Sequence, residues 1–239
     1  MKSYLNKNFV FWNREYNAPN TESFIFRLKP HLLDRRFNLK NKKLKIKVLD
    51  FGCGEGSNLN FFLKSYKWEP YGVDISEHSL HIAQAKMKLY SDNFKLLENN
   101  RLLDIKDFPN VKFDLIIAIQ SLYYLGKIDL NKTLITMKKL LKPNGVVFFT
   151  MISKKNEYYK KYSNKKTNKD GLTIVNLGTD KHYKKRQRQN TYKHYINFVK
   201  NSAQLKNLFN MFKPLNVGQY DLSLLDEKES FHHYTFFGK

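Results

Sequence analysis

The chain has 239 residues, 41% of them hydrophobic, which is long enough for one domain with a sizeable buried core. Its apolar runs are far shorter than the roughly 20 residues that a membrane-spanning helix needs, and no secretion signal opens the sequence, so we expect a cytoplasmic protein. The single cysteine, Cys53, excludes an internal disulfide and a multi-cysteine zinc site, and no metal site is predicted.

The net charge of +22 is concentrated in two segments. Residues 27–47 carry +8 and residues 151–200 carry +11, so the rest of the chain is nearly balanced. Basic segments attract nucleic acid, acidic membrane surfaces or anionic small molecules. The solvated surface of a lysine-rich protein explains many of the same lysines, so charge alone does not choose among these partners.

The first 44 residues are predicted to form a helical cap, with a turn at residues 18–20. From residue 45 to residue 151, short apolar segments alternate with segments of helical periodicity. Strands are predicted over residues 46–51, 71–74, 94–98, 113–119 and 146–151. Ser57 or Asn58 is the predicted cap of the first helix between them, and Ser76 that of the second. This alternation predicts a doubly wound α/β fold with right-handed crossovers.

The alternation breaks after residue 151. Residues 152–200 are basic, rich in tyrosine and weakly apolar, so we predict an insertion that caps a substrate rather than a part of the core. A helix near residues 202–212 and two strand-like runs, 215–225 and 231–237, follow in the C-terminal part, residues 201–239. Nothing in the composition indicates a second independent domain.

The densest chemical signal is the stretch "VLDFGCGEG", residues 48–56. Three of the ten glycines of the chain lie within five residues, directly after a predicted strand. Glycines at alternate positions allow a sharp turn and a close approach of the backbone to a ligand. The spacing G-x-G-x-G differs from the G-x-G-x-x-G of dinucleotide sites and favours a nucleoside ligand without pyrophosphate. Asp74, eighteen residues past Gly56 at the end of the second strand, is placed to accept ribose hydroxyls.

These motifs resemble those of the class I S-adenosylmethionine-dependent methyltransferase family. The likeness rests on "VLDFGCGEG", "YGVDIS", "FDLIIAI" and "LLKPNGVVFFT", which occur in the order of the family between residues 45 and 151. It implies a Rossmann-like, mostly parallel seven-stranded sheet with an antiparallel C-terminal edge strand, N-terminal helices and an insertion after strand 5. It also implies S-adenosyl-L-methionine as the cofactor.

The resemblance further implies which residues bind the cofactor. Gly52 and Gly54 would approach its methionine part, and Asp50 would orient the loop and the amino group. Asp74 would bind the ribose, with Ile75 against the adenine. The other implied cofactor-binding positions are Phe51, Cys53, Asn58, Asn99, Gln120 and Ser121.

Methyl transfer needs an acceptor that is aligned with the methyl group and shielded from water. A base is needed only where the acceptor loses a proton. The candidates are Tyr123 and Tyr124 after the fourth strand and His232 or His233 on the last one, with Tyr124 and His233 assigned to catalysis and Tyr123 to the substrate. Because adjacent strand residues face opposite ways, only one of the two histidines can point into a given pocket.

The sequence favours a small-molecule acceptor, such as a sugar or a phosphorylated or nucleotide-linked metabolite. The run "QSLYY" after the fourth strand lacks the Asp/Asn-Pro-Pro-aromatic motif of enzymes that methylate base amino groups. Tyr16 and Arg27 lie in a segment that resembles the leading helices of small-molecule methyltransferases, so both are substrate-binding candidates. Two alternatives stay open: an RNA methyltransferase that uses the basic segments, and a non-catalytic protein that only binds the cofactor.

Overall fold

The computed structural model describes residue 37 and residues 45–98, 101–179, 193–221 and 230–239. Nearly all of the predicted N-terminal cap, including Tyr16 and Arg27, lies outside the described residues, and so does Asn99. None of the helices in the described ranges combines the length and the apolar character that a membrane span requires.

Ten strands are described, and seven of them form the central sheet. Their bounds are β1 (Lys47–Phe51), β2 (Glu69–Asp74), β3 (Phe94–Leu96), β4 (Phe113–Ala118), β5 (Leu141–Ile152), β6 (Ser163–Thr167), β7 (Thr173–Asn176), β8 (Lys193–Ile196), β9 (Pro214–Tyr220) and β10 (His233–Gly238). The central sheet has the order β3-β2-β1-β4-β5-β10-β9, and β6-β7-β8 form a smaller antiparallel sheet. The predicted doubly wound fold is confirmed. The C-terminal strand β10 is antiparallel to both neighbours and lies between β5 and the edge strand β9.

Helices cover both faces of the central sheet. Their bounds are α1 (Ser57–Tyr66), α2 (Glu77–Lys86), α3 (Lys127–Leu140), α4 (Glu157–Tyr162) and α5 (Ser202–Leu208). On one face Leu59 of α1 belongs to the same apolar cluster as Val48 of β1. On the other face Leu134 of α3 belongs to the cluster that contains Leu49. Because the inner strands are buried on both faces, they read as almost continuous apolar runs in the sequence.

Helix α1 begins after a left-handed glycine and not at a capping side chain. Gly56 has φ 73°, and no side chain of the described residues caps the helix. The predicted cap at Ser57 or Asn58 was wrong, because the Asn58 amide instead donates to the Asp50 carboxylate, with 3.2 Å from Nδ2 to Oδ2. The predicted cap of α2, Ser76, is confirmed, since its side chain accepts a backbone hydrogen bond.

The direction of winding reverses between β1 and β4. From β1 the chain proceeds outward to β2 and β3, and it then returns to β4 on the opposite side of β1. Ligands of open α/β sheets bind outside the carboxyl ends of the strands at such a reversal. Because β1 and β4 pair in parallel, with Asp50 beside Ile117, the glycine loop and the segment after β4 leave the sheet together.

The described residues of the predicted insertion after β5, 152–179 and 193–200, include α4 and the small sheet. Two backbone hydrogen bonds fasten it over the segment that follows β4. Asn197 N donates to Tyr123 O at 2.8 Å, and Lys127 N donates to Asp170 O at 2.7 Å. The insertion therefore lies against the carboxyl end of β4, where a substrate cap is predicted.

Candidate active site

The loop after β1 contains three glycines with left-handed backbones. The φ angles are 74° at Gly52, 51° at Gly54 and 73° at Gly56. A Cβ added to Gly52 would lie 2.5 Å from the Cβ of Ser121, whereas one added to Gly54 would meet no atom of the described residues within 4 Å. The loop is thus packed against the segment after β4 on one side and presents bare backbone to open space on the other.

Asp50, at the end of β1, is a buried carboxylate with incomplete hydrogen bonding. It is 1% exposed, and among the described residues its Oδ1 has no hydrogen-bond partner. Burial raises the pKa of Asp50 to about 7; the Asn58 hydrogen bond opposes this rise, and the nearby Asp74 carboxylate adds to it. A buried acceptor without a donor calls for an explanation, and a donor supplied by a ligand provides one.

Asp74 connects the glycine loop to the start of α2. Its Oδ2 accepts from Gly54 N at 2.7 Å, and its Oδ1 accepts from Ser76 N at 2.8 Å. Burial raises the pKa of Asp74, and these backbone hydrogen bonds lower it. Each carboxylate oxygen can accept a second hydrogen bond, so ribose hydroxyls remain compatible with this arrangement. Ile75, the residue predicted to contact the adenine, is half-buried directly after it.

Phe51 and Cys53 support the loop from inside. Each residue is 7% exposed, and the Phe51 carbonyl accepts a hydrogen bond from Ser121 Oγ at 2.6 Å. Burial, with the Asp74 and Asp50 carboxylates, raises the pKa of the Cys53 thiol well above its usual value. A protonated, buried thiol is inert, so Cys53 is a small packing residue and not a nucleophile.

Gln120 reaches from the end of β4 toward the far side of the sheet. Its φ of 55° lies in the left-handed region that residues with a side chain seldom adopt. Its backbone N donates to Thr150 Oγ1 at 2.8 Å, and its Nε2 donates to the Tyr220 hydroxyl at 3.2 Å. Gln120 and the adjacent Ser121 therefore join the glycine loop to β5 and β9.

An aromatic cluster lies at the end of this connection. The rings of His233 and Tyr220 are stacked, with centroids 4.9 Å apart and planes 4° from parallel. The Tyr123 ring lies 5.9 Å from His233 and 4.6 Å from the half-buried Tyr124. The structure thus brings Tyr123, Tyr124 and His233 together, as the sequence-based assignment requires.

His233 has an unprotonated imidazole nitrogen. Its Nδ1 lies 2.9 Å from the carbonyl oxygen of Phe231, which can only accept, so Nδ1 carries the hydrogen and Nε2 carries the lone pair. This Nε2 is buried and has no hydrogen-bond partner within the described ranges. Burial lowers the pKa of His233 to about 4, so the ring is neutral at physiological pH. The neighbouring His232 makes a 3.1 Å contact through Nε2 with Gln219 Oε1, and its buried Nδ1 also has no hydrogen-bond partner within the described ranges.

Thr150 and Tyr220 are site residues that the sequence does not single out. Thr150 lies in a predicted strand, and Tyr220 lies in the strand-like run 215–225, but neither has a motif around it. Tyr220 stands opposite His233 because β9 and β10 pair in one particular register. That register was not predicted.

Comparison with known proteins shows a likeness to methyltransferases. A methyltransferase domain model matches residues 49–147. The chain is 31% identical over 104 residues to phosphoethanolamine N-methyltransferase of Plasmodium falciparum, and 31% over 116 residues to ubiquinone biosynthesis O-methyltransferase of Pasteurella multocida. Over residues 49–147 the chain is similar to the class I S-adenosylmethionine-dependent methyltransferases.

The chain spans less than half the length of these two curated relatives. The matches cover 44% and 45% of this chain, and 38% and 47% of the Plasmodium and Pasteurella proteins respectively. The solved structure of the CcbJ methyltransferase from Streptomyces caelestis matches with a TM-score of 0.59 at 13% identity, over 99% of this chain and 97% of that one. This likeness shows a shared fold.

The likeness to this family implies S-adenosylmethionine as the cofactor, and the described residues fit it. The unpartnered Oδ1 of Asp50 offers a buried acceptor to an ammonium group. The bare backbone at Gly54 leaves space for a ligand against the loop. Asp50 and Asp74 together place two carboxylates where a cationic sulfonium cofactor would be bound.

Replacing Gly54 with alanine is expected to weaken S-adenosylhomocysteine binding at least about tenfold, or 1.4 kcal/mol, while the fold persists. The added methyl group meets no described protein atom within 4 Å, so it projects into the space assigned to the cofactor. The left-handed backbone adds a strain of about 1–2 kcal/mol. Titration calorimetry and thermal denaturation measure the two effects.

Gly52→Ala is the matched variant, because its added methyl group would collide with Ser121. We expect it to lose more thermal stability than Gly54→Ala as well as cofactor affinity. Unchanged affinity in a folded Gly54→Ala protein would show that the cofactor does not lie on this side of the loop.

Proposed function

We propose that this chain catalyses the transfer of a methyl group from S-adenosylmethionine to a hydroxyl-bearing small molecule. The observation that carries the proposal is the buried, unpartnered Nε2 of the neutral His233. The imidazole stacks on the Tyr220 ring, and the Tyr220 hydroxyl accepts a hydrogen bond from Gln120. Gln120 precedes Ser121, which lies against the glycine loop. The pairing of His233 with Ile152, the last residue of β5, supports a proton acceptor at the carboxyl edge of the sheet, where β1 and β4 also end.

The residues of the chain have separate tasks in this reaction. When bound, S-adenosylmethionine supplies an activated methyl group. Asp50 and Asp74 hold and orient the cofactor, and the Ser121 hydroxyl keeps the glycine loop against β4. As the acceptor oxygen is methylated, its O–H bond breaks and the proton moves to Nε2 of His233. Neutral imidazole is present at working pH, and general-base assistance of this kind contributes about 10²- to 10⁴-fold.

Two observations support a small acceptor. The insertion is fastened by backbone hydrogen bonds over the segment after β4, directly beside Tyr123, which favours a covered pocket over an open groove. The two curated relatives are named for phosphoethanolamine N-methylation and for an O-methylation of ubiquinone biosynthesis. A covered site excludes water and suits a compact substrate.

Transfer of label from methyl-tritiated S-adenosylmethionine tests this function. The protein is incubated with the low-molecular-weight fraction of a cell extract in one arm and with total RNA in the other. We expect S-adenosylhomocysteine to form and label to enter the small-molecule arm alone. Label on RNA would overturn the small-molecule proposal and favour an RNA methyltransferase that uses the basic segments. Binding of S-adenosylhomocysteine without transfer in either arm would favour a protein that only binds the cofactor.

A further inference from the structure

We propose that Tyr220 is a positioning residue that holds the imidazole of His233 in one plane, and that Gln120 is its anchor. The proposal rests on the proposed function, because it concerns the group that accepts the acceptor proton there. Tyr220 itself acts through His233.

The stacked contact restricts the imidazole in two ways. Tyr220 and His233 are directly opposed in the pairing of β9 with β10, and their ring planes differ by only 4°. The stack opposes tilting of the imidazole, while the 2.9 Å contact of Nδ1 with the Phe231 carbonyl opposes its rotation within the plane. Together the two contacts fix the direction in which the Nε2 lone pair points. A reacting group that is already oriented loses less entropy in the reaction.

The tyrosine is in turn fixed through its hydroxyl group. Gln120 Nε2 donates to this hydroxyl at 3.2 Å, and Thr150 also forms a side-chain hydrogen bond with it. Burial raises the pKa of Tyr220 to about 12, against the effect of these two hydrogen bonds. The phenol thus stays protonated and serves as a hydrogen-bonded fixed point rather than as an acid or a base.

The backbone of Gln120 gives independent support. A left-handed conformation costs a residue with a side chain about 1–2 kcal/mol, and such strain persists where the surroundings require it. At Gln120 the conformation lets the backbone N bond Thr150 while the side-chain amide bonds Tyr220. The hydroxyl of the next residue, Ser121, donates a hydrogen bond to the carbonyl oxygen of Phe51 at the start of the glycine loop. The anchor of the tyrosine therefore lies one residue from the cofactor loop.

Nitrogen NMR of the ligand-free protein tests the positioning without any turnover. The titratable groups near His233 are Tyr220, Tyr123, His232 and Asp221. In the wild type we expect a neutral ring with hydrogen on Nδ1 down to a low pH. In Tyr220→Ala, solvent enters beside the imidazole, so its titration midpoint is expected to rise by about one pH unit or more toward the ordinary value near 6.5. An unchanged midpoint and tautomer in a folded Tyr220→Ala protein would overturn the proposal.

Kinetics separate positioning from a general loss of structure. With the acceptor identified by label transfer, Tyr220→Phe and Gln120→Ala are each expected to lower kcat about 10- to 100-fold, and Tyr220→Phe should do so with little change in the KM of S-adenosylmethionine. Tyr220→Phe already removes the hydrogen bond that Gln120→Ala removes, together with the one to Thr150, so the double variant should be no slower than the slower single variant. If the two reductions in kcat multiplied in the double variant, Gln120 would not act through Tyr220. That result would refute the role of Gln120 as the anchor of Tyr220.

Tyr71→Phe is the matched control. Tyr71 is a buried tyrosine of the same sheet, and its hydroxyl donates to Glu69 near the start of β2. We expect it to change neither kcat nor the His233 resonances.

If the wild type binds the cofactor but methylates nothing, the proposed function fails while the NMR comparison still decides the positioning of His233. If methylation proceeds and the NMR comparison shows no effect of Tyr220→Ala, only the positioning proposal fails.

Discussion

Glutamine in place of His233 is expected to lower kcat about 10²- to 10⁴-fold while S-adenosylhomocysteine binds as in the wild type. Glutamine is similar in size and polar, but it cannot take up the proton that the acceptor loses. In the wild type with saturating S-adenosylmethionine, kcat/KM for the acceptor should be level around neutral pH and should fall as the pH approaches about 4, where His233 becomes protonated and can no longer accept. Formation of S-adenosylhomocysteine across this pH range measures both effects.

His232→Gln is the control for this prediction, because it alters the adjacent histidine. His232 contacts Gln219 and belongs to the other side of the strand, so its loss should leave kcat close to the wild-type value. Equal losses in the two variants would show that the histidines stabilise the strand and that His233 is not the base.

The cofactor side of the site could be predicted because its signals are local. The glycine loop, the end of β1 and Asp74 at the end of β2 lie within 27 consecutive residues, 48–74. Parallel strands that are buried on both faces are apolar along their length, so β1 and β4 stand out in the sequence. The reversal between them then follows from the order of the elements and the handedness of crossovers.

The acceptor side depends on contacts between residues that are distant in the sequence. Gln120 and Tyr220 are 100 residues apart, and Tyr220 meets His233 only because β10 inserts between β5 and β9. The sequence predicts both terminal strands but not their lateral order. A shift of one residue turns every side chain of a strand to the other face. The register of β10 therefore decides that His233, and not His232, stands opposite Tyr220.

Asn58 shows how local propensity was misinterpreted. Asparagine near the start of a helix is usually a cap, which is why the sequence favours that role. The left-handed Gly56 already turns the chain into α1, so the Asn58 amide is released to bind the Asp50 carboxylate. The unusual feature of the site is therefore a buried acid that only one side chain of the described residues supports.

Asparagine in place of Asp50 is expected to stabilise the ligand-free protein at pH 8 and to weaken S-adenosylhomocysteine binding. Burial raises the pKa of Asp50 from 3.8 to about 7, so between these values the folded state binds more protons than the unfolded state. Stability contributed by this residue therefore falls as the pH rises from about 4 to about 7, and the penalty is complete above that range. The substitution removes the charge and with it the penalty.

Thermal denaturation across pH measures this effect. The Tm difference between Asp50→Asn and the wild type should be small near pH 4, grow up to about pH 7 and then level off. Each kcal/mol gained corresponds to about 2–4 °C for a chain of this size. Asp114→Asn is the control, because Asp114 accepts from Lys142 Nζ at 2.8 Å near the start of β4. Loss of the Asp114 charge should lower the Tm at pH 8 and leave cofactor affinity unchanged.

Calorimetry supplies the second half of the test. In the wild type, affinity for S-adenosylhomocysteine should rise with pH up to about 7 and then level off, because only ionised Asp50 attracts the ammonium group of the ligand. In Asp50→Asn the affinity should be lower and independent of pH over this range. A variant that is less stable than the wild type at pH 8, with undiminished affinity, would show that the carboxylate supports the fold. Greater stability with weaker binding would instead show that the buried charge is maintained at the expense of the fold because the cofactor requires it.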